Sequence, residues 1–445
     1  MSNTELVTIA PPESATTHAT YERSSPSPRS QDAEGDPNNR TRQEQELAPV
    51  DGGAAAWKLL CAAFMFEALL WGFPLSFEFA DNRYISVVGT IASGFGYLGA
   101  PIVIPLLQRY QRWWRHMIVV GWSICIAGLV LGSFASTLEV LILTQGVAYG
   151  VGFLIFYYPI LGMVNEYWIE RRGMAYGILC GASGVSGSVI PFVLQAILAR
   201  YGYKTTLRAV AVALTLLTGP FIPLLKGRLP PSERTSVPKM NLAFFRSPLF
   251  WVYSVSNLLQ GFGYFFPSLY LPSYASSIGL EGKLGPLLLA LMSVSQVGGQ
   301  FVFGLLSDRK VPVNVLACTS TIVAAVACLT LWRLAESLPV LIIFAITYGF
   351  FGAGFTATWA RMSTAVTDDV TAGPIVFSLL NLGKGIGNVL AGPIGGSLVS
   401  LSNSTGTSSS LSYRWVIIFA GVAMFTSALT ICLRSLKQFG SLILW

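Results

Sequence analysis

The stretch "FVFGLLSDRK", residues 301–310, runs through seven uncharged residues and stops in Asp308, Arg309 and Lys310. "IVIPLLQRYQ", residues 102–111, has the same shape 199 positions earlier. Both read as an apolar helix that ends where water or headgroups begin. At the same offset Leu106-Leu107 maps onto Leu305-Leu306, Gly99 onto Gly298, Tyr149-Gly150 onto Tyr348-Gly349 and Gly184 onto Gly383. Matches at one offset in equivalent segments indicate an internal repeat.

Composition says what surrounds those helices. The 445 residues are 53% hydrophobic and 11% charged, with mean hydropathy +0.60. Soluble domains carry about 25% charged residues, so this chain lacks the polar surface to face water and lipid is its solvent. We read twelve apolar runs: 56–78, 85–107, 117–136, 138–162, 174–199, 206–225, 249–271, 284–306, 313–332, 338–360, 375–401 and 415–433. About 20 helical residues cross the hydrocarbon core, and lipid forces helix because it cannot satisfy a bare backbone. The expected fold is an all-α membrane protein of twelve transmembrane helices in two six-helix pseudo-repeat bundles. Residues 1–50 form a polar tail expected to be disordered, 51–225 the first bundle, 226–248 a linker with four prolines and five bases, 249–433 the second bundle, and 434–445 a short tail.

Loop charge orients the chain. With both termini inside, the inner loops hold twelve bases and the outer loops seven. "NST" at 403–405 then falls in an outer loop, which makes Asn403 a glycosylation candidate. The tail up to Asp51 carries net −5 and the rest +12, which suits anionic headgroups. The bases are dispersed through loops, so nucleic acid is not expected as a partner. Six cysteines lie in apolar runs without metal spacing, and the two histidines, His18 and His116, lie outside the spans. No metal and no cofactor is expected, and no histidine-based active site fits inside the membrane. A GxxxxGK[ST] loop is absent, so ATP does not drive the protein directly.

"DGGAAAW" (51–57) and "YWIERRGMAYGILCGASGVSG" (167–187) together resemble the two signatures of the monocarboxylate-porter branch of the major facilitator superfamily. "FGLLSDRK" resembles that superfamily's loop signature between spans eight and nine, and "SVVGTIASGFGYLGAP" (86–101) is similar to span two of the branch's fungal members. The resemblance covers roughly 51–433. It implies two six-span halves around a midplane site and transport by alternating access. It also implies a gate role for Asp308, Arg309 and Lys310 with Arg171 and Arg172. Three positions depart from the family's lactate carriers. Leu75 replaces a lysine in "FPLS", and Gln296 and Gln300 replace an acid and an arginine in span eight. The segment "EFADNRYIS" also leaves a short first outer loop.

Charges inside spans are costly and therefore candidate functional groups. Glu67 in span one is a candidate proton-binding group. Lys384, about ten residues into span eleven, is the leading substrate or coupling charge. Arg361, at the inner end of span ten, is either an anion attractor or a snorkelling anchor. Gln260, Gln296, Gln300 and Asn381 can hydrogen-bond a ligand or a neighbouring helix. Trp71, Tyr157, Tyr158, Tyr264, Phe265, Phe266 and Trp359 can wall a cavity for a flat organic molecule, or simply pack. Gly177, Gly181 and Gly184 are expected to admit a close helix, and "GPIGG" (392–396) to do so with a proline kink. The expected function is secondary active transport of a small organic solute: an organic anion, a carboxylate or a secondary metabolite. A proton is the candidate co-substrate. The expected setting is a monomer in the plasma membrane. The alternative is a transporter-derived nutrient receptor, and the lowest-ranked rival is a membrane enzyme.

Overall fold

The computed structural model describes residues 48–71, 83–229, 242–280, 284–309, 311–369, 372–403 and 413–443. The tail up to residue 47, Leu75 with the first outer loop, the centre of the linker, Lys310 and the loop after Asn403 lie outside those residues. Everything with regular structure among them is helical.

Span one is Gly53–Phe66 followed by a π-helical turn, Glu67–Trp71. Span two bends by 48° between its residues up to Leu98 and Ala100–Arg109. Spans three and four are Trp114–Gly132 and Leu138–Tyr167. Spans five and six run as Arg172–Thr218, reversed at Gly202, whose φ of 73° suits a residue without Cβ. The second half contains Leu284–Asp308, Val313–Trp332, Leu338–Val366, Gly373–Asn403 and Arg414–Ile443. The last helix thus continues past the expected end at residue 433.

Among the described residues, ten helices are long and apolar enough to cross a membrane, and the bent span two, counted as one span, makes an eleventh. The twelfth expected span, span seven, is divided. A turn at Phe265 splits it into Pro248–Tyr264 and Phe266–Ser277, each too short to cross alone. Proline explains the division. Pro267 has no N–H to close an intrahelical bond, and its ring crowds the preceding turn.

The buried apolar residues separate by half. One cluster joins Ala56 through Leu225 with Ala360. The others draw on Phe244 through Ile431. Between the halves, span five packs on span eight at small residues. A Cβ on Gly177 would sit 2.6 Å from the carbonyl oxygen of Gln300, and one on Gly184 2.6 Å from that of Ser293. At Gly181 the nearest atom would be 3.5 Å away, an ordinary contact, so that glycine is not required. Span two meets span eleven where Asn388 donates a buried 2.8 Å hydrogen bond to Ser93. "GPIGG" departs from its expected packing role. Positions 392 and 396 face open space and only Gly395 meets a neighbour, Tyr270. Of the cysteines in the apolar runs, Cys125 and Cys328 are buried, whereas Cys61 is exposed.

Candidate functional site

Two constellations stand out among the described residues. The first lies at the end where the basic loops gather. Asp51 enters span one with φ 56°, and its carboxylate accepts the backbone N–H groups of Ile169 (2.9 Å), Glu170 (3.1 Å) and Arg171 (2.9 Å). Partial burial by itself would raise the Asp51 pKa. Those three donors and the Arg171 charge outweigh it and hold the carboxyl below its ordinary 3.8. Trp57 packs edge-on against Trp168 at 5.1 Å, so the two signature stretches of the sequence touch.

Past Arg172, the N–H groups of Gly173 and Met174 are held by the other half. Asp308 accepts Gly173 N–H at 2.7 Å and Met174 N–H at 2.6 Å. Those amides open span five, where the exposed N–H groups and the helix dipole favour an anion. Arg361 donates to the same carboxylate at 3.0 Å and to the Glu170 carbonyl at 2.7 Å. Arg361 thereby belongs with the Asp308 cluster and not with the other buried polar candidates, because its guanidinium is committed to Asp308. Arg309 is exposed and borders a cavity of about 410 Å³ beside this pair. Arg172 donates to the Trp168 carbonyl at 3.4 Å. Its neighbour Arg171 contributes its backbone N–H to Asp51.

The second constellation lies between the halves. Lys384 is 1% exposed. Its Nζ donates to Gln260 Oε1 at 3.2 Å and sits 3.2 Å from the centre of the Tyr264 ring, with Phe265 at 5.4 Å and Trp359 at 5.7 Å. A cation over an aromatic face is attracted by the ring's quadrupole, more strongly when desolvated. Gln260 also donates to the Gly352 carbonyl at 3.4 Å, which fixes its oxygen toward the lysine. On the opposite half Glu67, 7% exposed, accepts the Tyr157 hydroxyl at 3.2 Å through Oε1.

Several buried polar atoms here lack a partner among the described residues: Glu67 Oε2, Gln300 Oε1, Asn257 Oδ1 and Trp359 Nε1. Such atoms are costly unless something else satisfies them. Asn381 turns instead to its own helix, donating to Phe377 O at 3.0 Å, and Gln296 is half-buried. Tyr97 of span two was not singled out in the sequence. It packs against the cores of both halves and lies within electrostatic reach of both Glu67 and Tyr264. Its signal was available in the glycine-rich run 86–101, where it is the one tyrosine. A groove of about 600 Å³, lined by residues such as Leu259, Phe262, Ile394 and Trp415, touches none of these groups.

Two helical halves, each with helices long and apolar enough to cross a membrane, joined by a carboxylate cluster and burying Glu67 and Lys384, define a multi-pass membrane protein. The chain belongs to the Major Facilitator Superfamily, whose family model matches residues 57–332 and 287–440. Its curated relatives include fungal MFS transporters and monocarboxylate transporters, in keeping with the branch that its signature stretches resemble. It is 26% identical to the MFS transporter asaE of Aspergillus flavus over 86% of this chain and 87% of that one. It is 27% identical to human monocarboxylate transporter 11 over 78% and 74% respectively. The crystal structure of the nucleoside transporter NupG superposes with TM-score 0.60 over 85% of this chain and 98% of that one, at 13% identity. That likeness shows the fold.

Proposed function

We propose that the protein is a secondary active transporter, not an enzyme, that moves a small organic anion, carboxylate or acidic secondary metabolite by alternating access between its halves. One observation carries the reading. Lys384 is a cation buried between the halves whose hydrogen-bond partner is the neutral amide of Gln260. A buried charge without a counter-charge is expensive, and an anionic solute supplies one. Gln260, Asn257 and Trp359 offer further hydrogen bonds beside it, and Gln300 and Asn381 remain candidates in the same set. Gln296 belongs with them at the edge. Glu67, across the interface, is the proton-coupling candidate.

The human relative's name points to monocarboxylates. Leu75, Gln296 and Gln300 lack the charges of lactate-type carriers, so the reading favours a larger, less charged acid. We place the monomer in the plasma membrane with both termini cytoplasmic. Asp308 and Arg361 then close the inward side, with Arg309, Arg171 and Arg172 nearby, and Asn403 begins an outer loop open to glycosylation.

The test is uptake into proteoliposomes of labelled lactate, benzoate and a set of acidic metabolites chosen by profiling cells with and without the gene. Wild type moves at least one of them and K384M does not. Movement of no solute down its gradient overturns the proposal.

A further inference from the structure

Cys318, in span nine, and Cys432, in span twelve, lie in contact across 114 residues of chain. The Cys432 thiol donates to the Cys318 sulfur at 3.0 Å, and the Cys318 thiol donates onward to the Ala428 carbonyl at 3.7 Å. Both side chains are partly exposed. Nothing in their spacing marks them as a pair; the packing of spans nine and twelve brings them together. A disulfide holds its sulfurs about 2 Å apart, so bond formation here asks for an approach of about 1 Å.

The helices that carry the thiols are held on both sides of them by span seven. One turn deeper, Ser427 donates to the Ser256 carbonyl at 2.7 Å, and Ser256 donates back to the Ser427 carbonyl at 3.0 Å. One turn nearer the helix end, Asn314 accepts the Tyr253 hydroxyl at 2.6 Å. The sulfurs are therefore brought together by a fixed frame and not by chance rotation of two lipid-facing helices. The depth is shallow. Span nine starts at Val313, which puts Cys318 about 8 Å from the helix start at the helical rise per residue. This is the end of the bundle that carries Asp308 and Arg309. Tyr253 lies within electrostatic reach of both Cys318 and Arg434, so polar groups border the pair, and a reagent at the edge of the apolar layer can approach it.

We propose that Cys318 and Cys432 are a redox pair that a lipid or alkyl hydroperoxide oxidises to a disulfide, tying span nine to span twelve at the end where Asp308 stands. One sulfur, as its thiolate, attacks the O–O bond of the hydroperoxide. An S–O bond forms, the O–O bond breaks, and the departing alkoxide takes the thiol proton and leaves as an alcohol. The second sulfur attacks the sulfenic acid so formed. The S–S bond closes, and water leaves with the hydroxyl and the second thiol proton. The two sulfurs together give up two electrons and the hydroperoxide takes both. Thiols at this end are reduced at rest in a reducing compartment and return to that form by thiol–disulfide exchange. A cross-link that closes so long a loop restricts the unfolded chain, so the oxidised protein resists unfolding. The inference is independent of the transport reading.

The test uses purified full-length protein in nanodiscs and tert-butyl hydroperoxide, raised until the thiol of Cys61, exposed on span one, is consumed. Remaining thiols are blocked with N-ethylmaleimide, and the protein is digested without reductant. Mass spectrometry of wild type is expected to show peptides from one molecule joined through Cys318 and Cys432, two hydrogens lighter than their sum and separated by dithiothreitol. This link exceeds every other cysteine pairing. Oxidation raises the melting temperature of wild type by several degrees and leaves that of C318A and C432A unchanged. In each variant the remaining thiol is trapped by dimedone as the sulfenic acid. The link is read in wild type and so does not depend on either variant folding. Consumption of Cys61 with Cys318 and Cys432 both still blocked by the maleimide overturns the proposal, as does a mixture of pairings in which theirs is not preferred.

Discussion

Asp308 of the second half accepts the backbone N–H of Gly173 of the first at 2.7 Å, across 135 residues of chain. With Met174 N–H at 2.6 Å and Arg361 at 3.0 Å, one carboxylate joins spans five, eight and ten. Asp51 holds the other face of the same turn from within the first half. The turn is therefore shaped by one half and gripped by the other.

Replacing Asp308 with Asn keeps the shape and loses the charge. Hydrogen bonds to charged groups contribute about 1.5–3 kcal/mol each, so D308N is expected to lower the melting temperature by several degrees and to favour the state open at that end. Accessibility of a cysteine placed at Thr364, beside the pair, measures the shift. An unchanged labelling rate would mean that Asp308 does not hold the gate.

Asp51 makes a signed prediction for pH. Its carboxyl is held below 3.8 in the folded protein. The folded state then binds fewer protons than the unfolded one, and the stabilisation is complete above the unfolded value and lost as pH falls through the folded value. Melting curves of wild type and D51N should differ by a constant amount at pH 6–8 and converge below about pH 4. A gap that persists in acid would assign the effect of D51N to something other than the charge.

Glu67→Gln removes a titratable group but preserves most of its hydrogen bonding to Tyr157. If Glu67 carries a proton, E67Q abolishes the pH dependence of solute uptake and leaves exchange of solute for solute. K384M, in contrast, lowers uptake of the anion at every pH by about tenfold or more, as expected for loss of a buried charge contact. Normal pH dependence in E67Q, together with normal uptake in K384M, would remove both residues from the site.

Two neighbouring glycines give opposite expectations. G177A places a methyl group 2.6 Å from the Gln300 carbonyl and should destabilise the span five–span eight contact by about 1–3 kcal/mol. G181A meets nothing closer than 3.5 Å and should be neutral or slightly stabilising, since alanine favours helix over glycine by up to about 1 kcal/mol. Thermal unfolding of the two variants in the same detergent compares them directly, and equal melting temperatures would refute the packing argument.

Much of the architecture was legible in the residues. Run lengths marked the spans, the 199-residue offset marked the repeat, and the depth of Lys384 in its apolar run marked it as a charge with no easy route to the headgroups. Span seven was read as continuous, and its division at Phe265 shows Pro267 prevailing over apolar length. Arg361 was read as an anion attractor or a snorkelling anchor because its partner, Asp308, lies in another span. Tyr97 was passed over because an aromatic residue in a glycine-rich run looks like packing until both halves are seen to close on it.

The sequence by itself determined the solvent, the helices and their grouping into halves, because in lipid a backbone must satisfy itself within each segment and a segment must be long enough to cross. Only the tertiary structure decided the partners: Gln260 for Lys384 across 124 residues, Tyr149 for Leu70, Gly173 for Asp308. The physical reason is that apolar helices gain little by hiding from an apolar solvent. Their pairing is selected by close approach at small residues and by hydrogen bonds between faces. Which face meets which depends on the rotation and tilt of whole helices, and no local stretch of sequence contains that information.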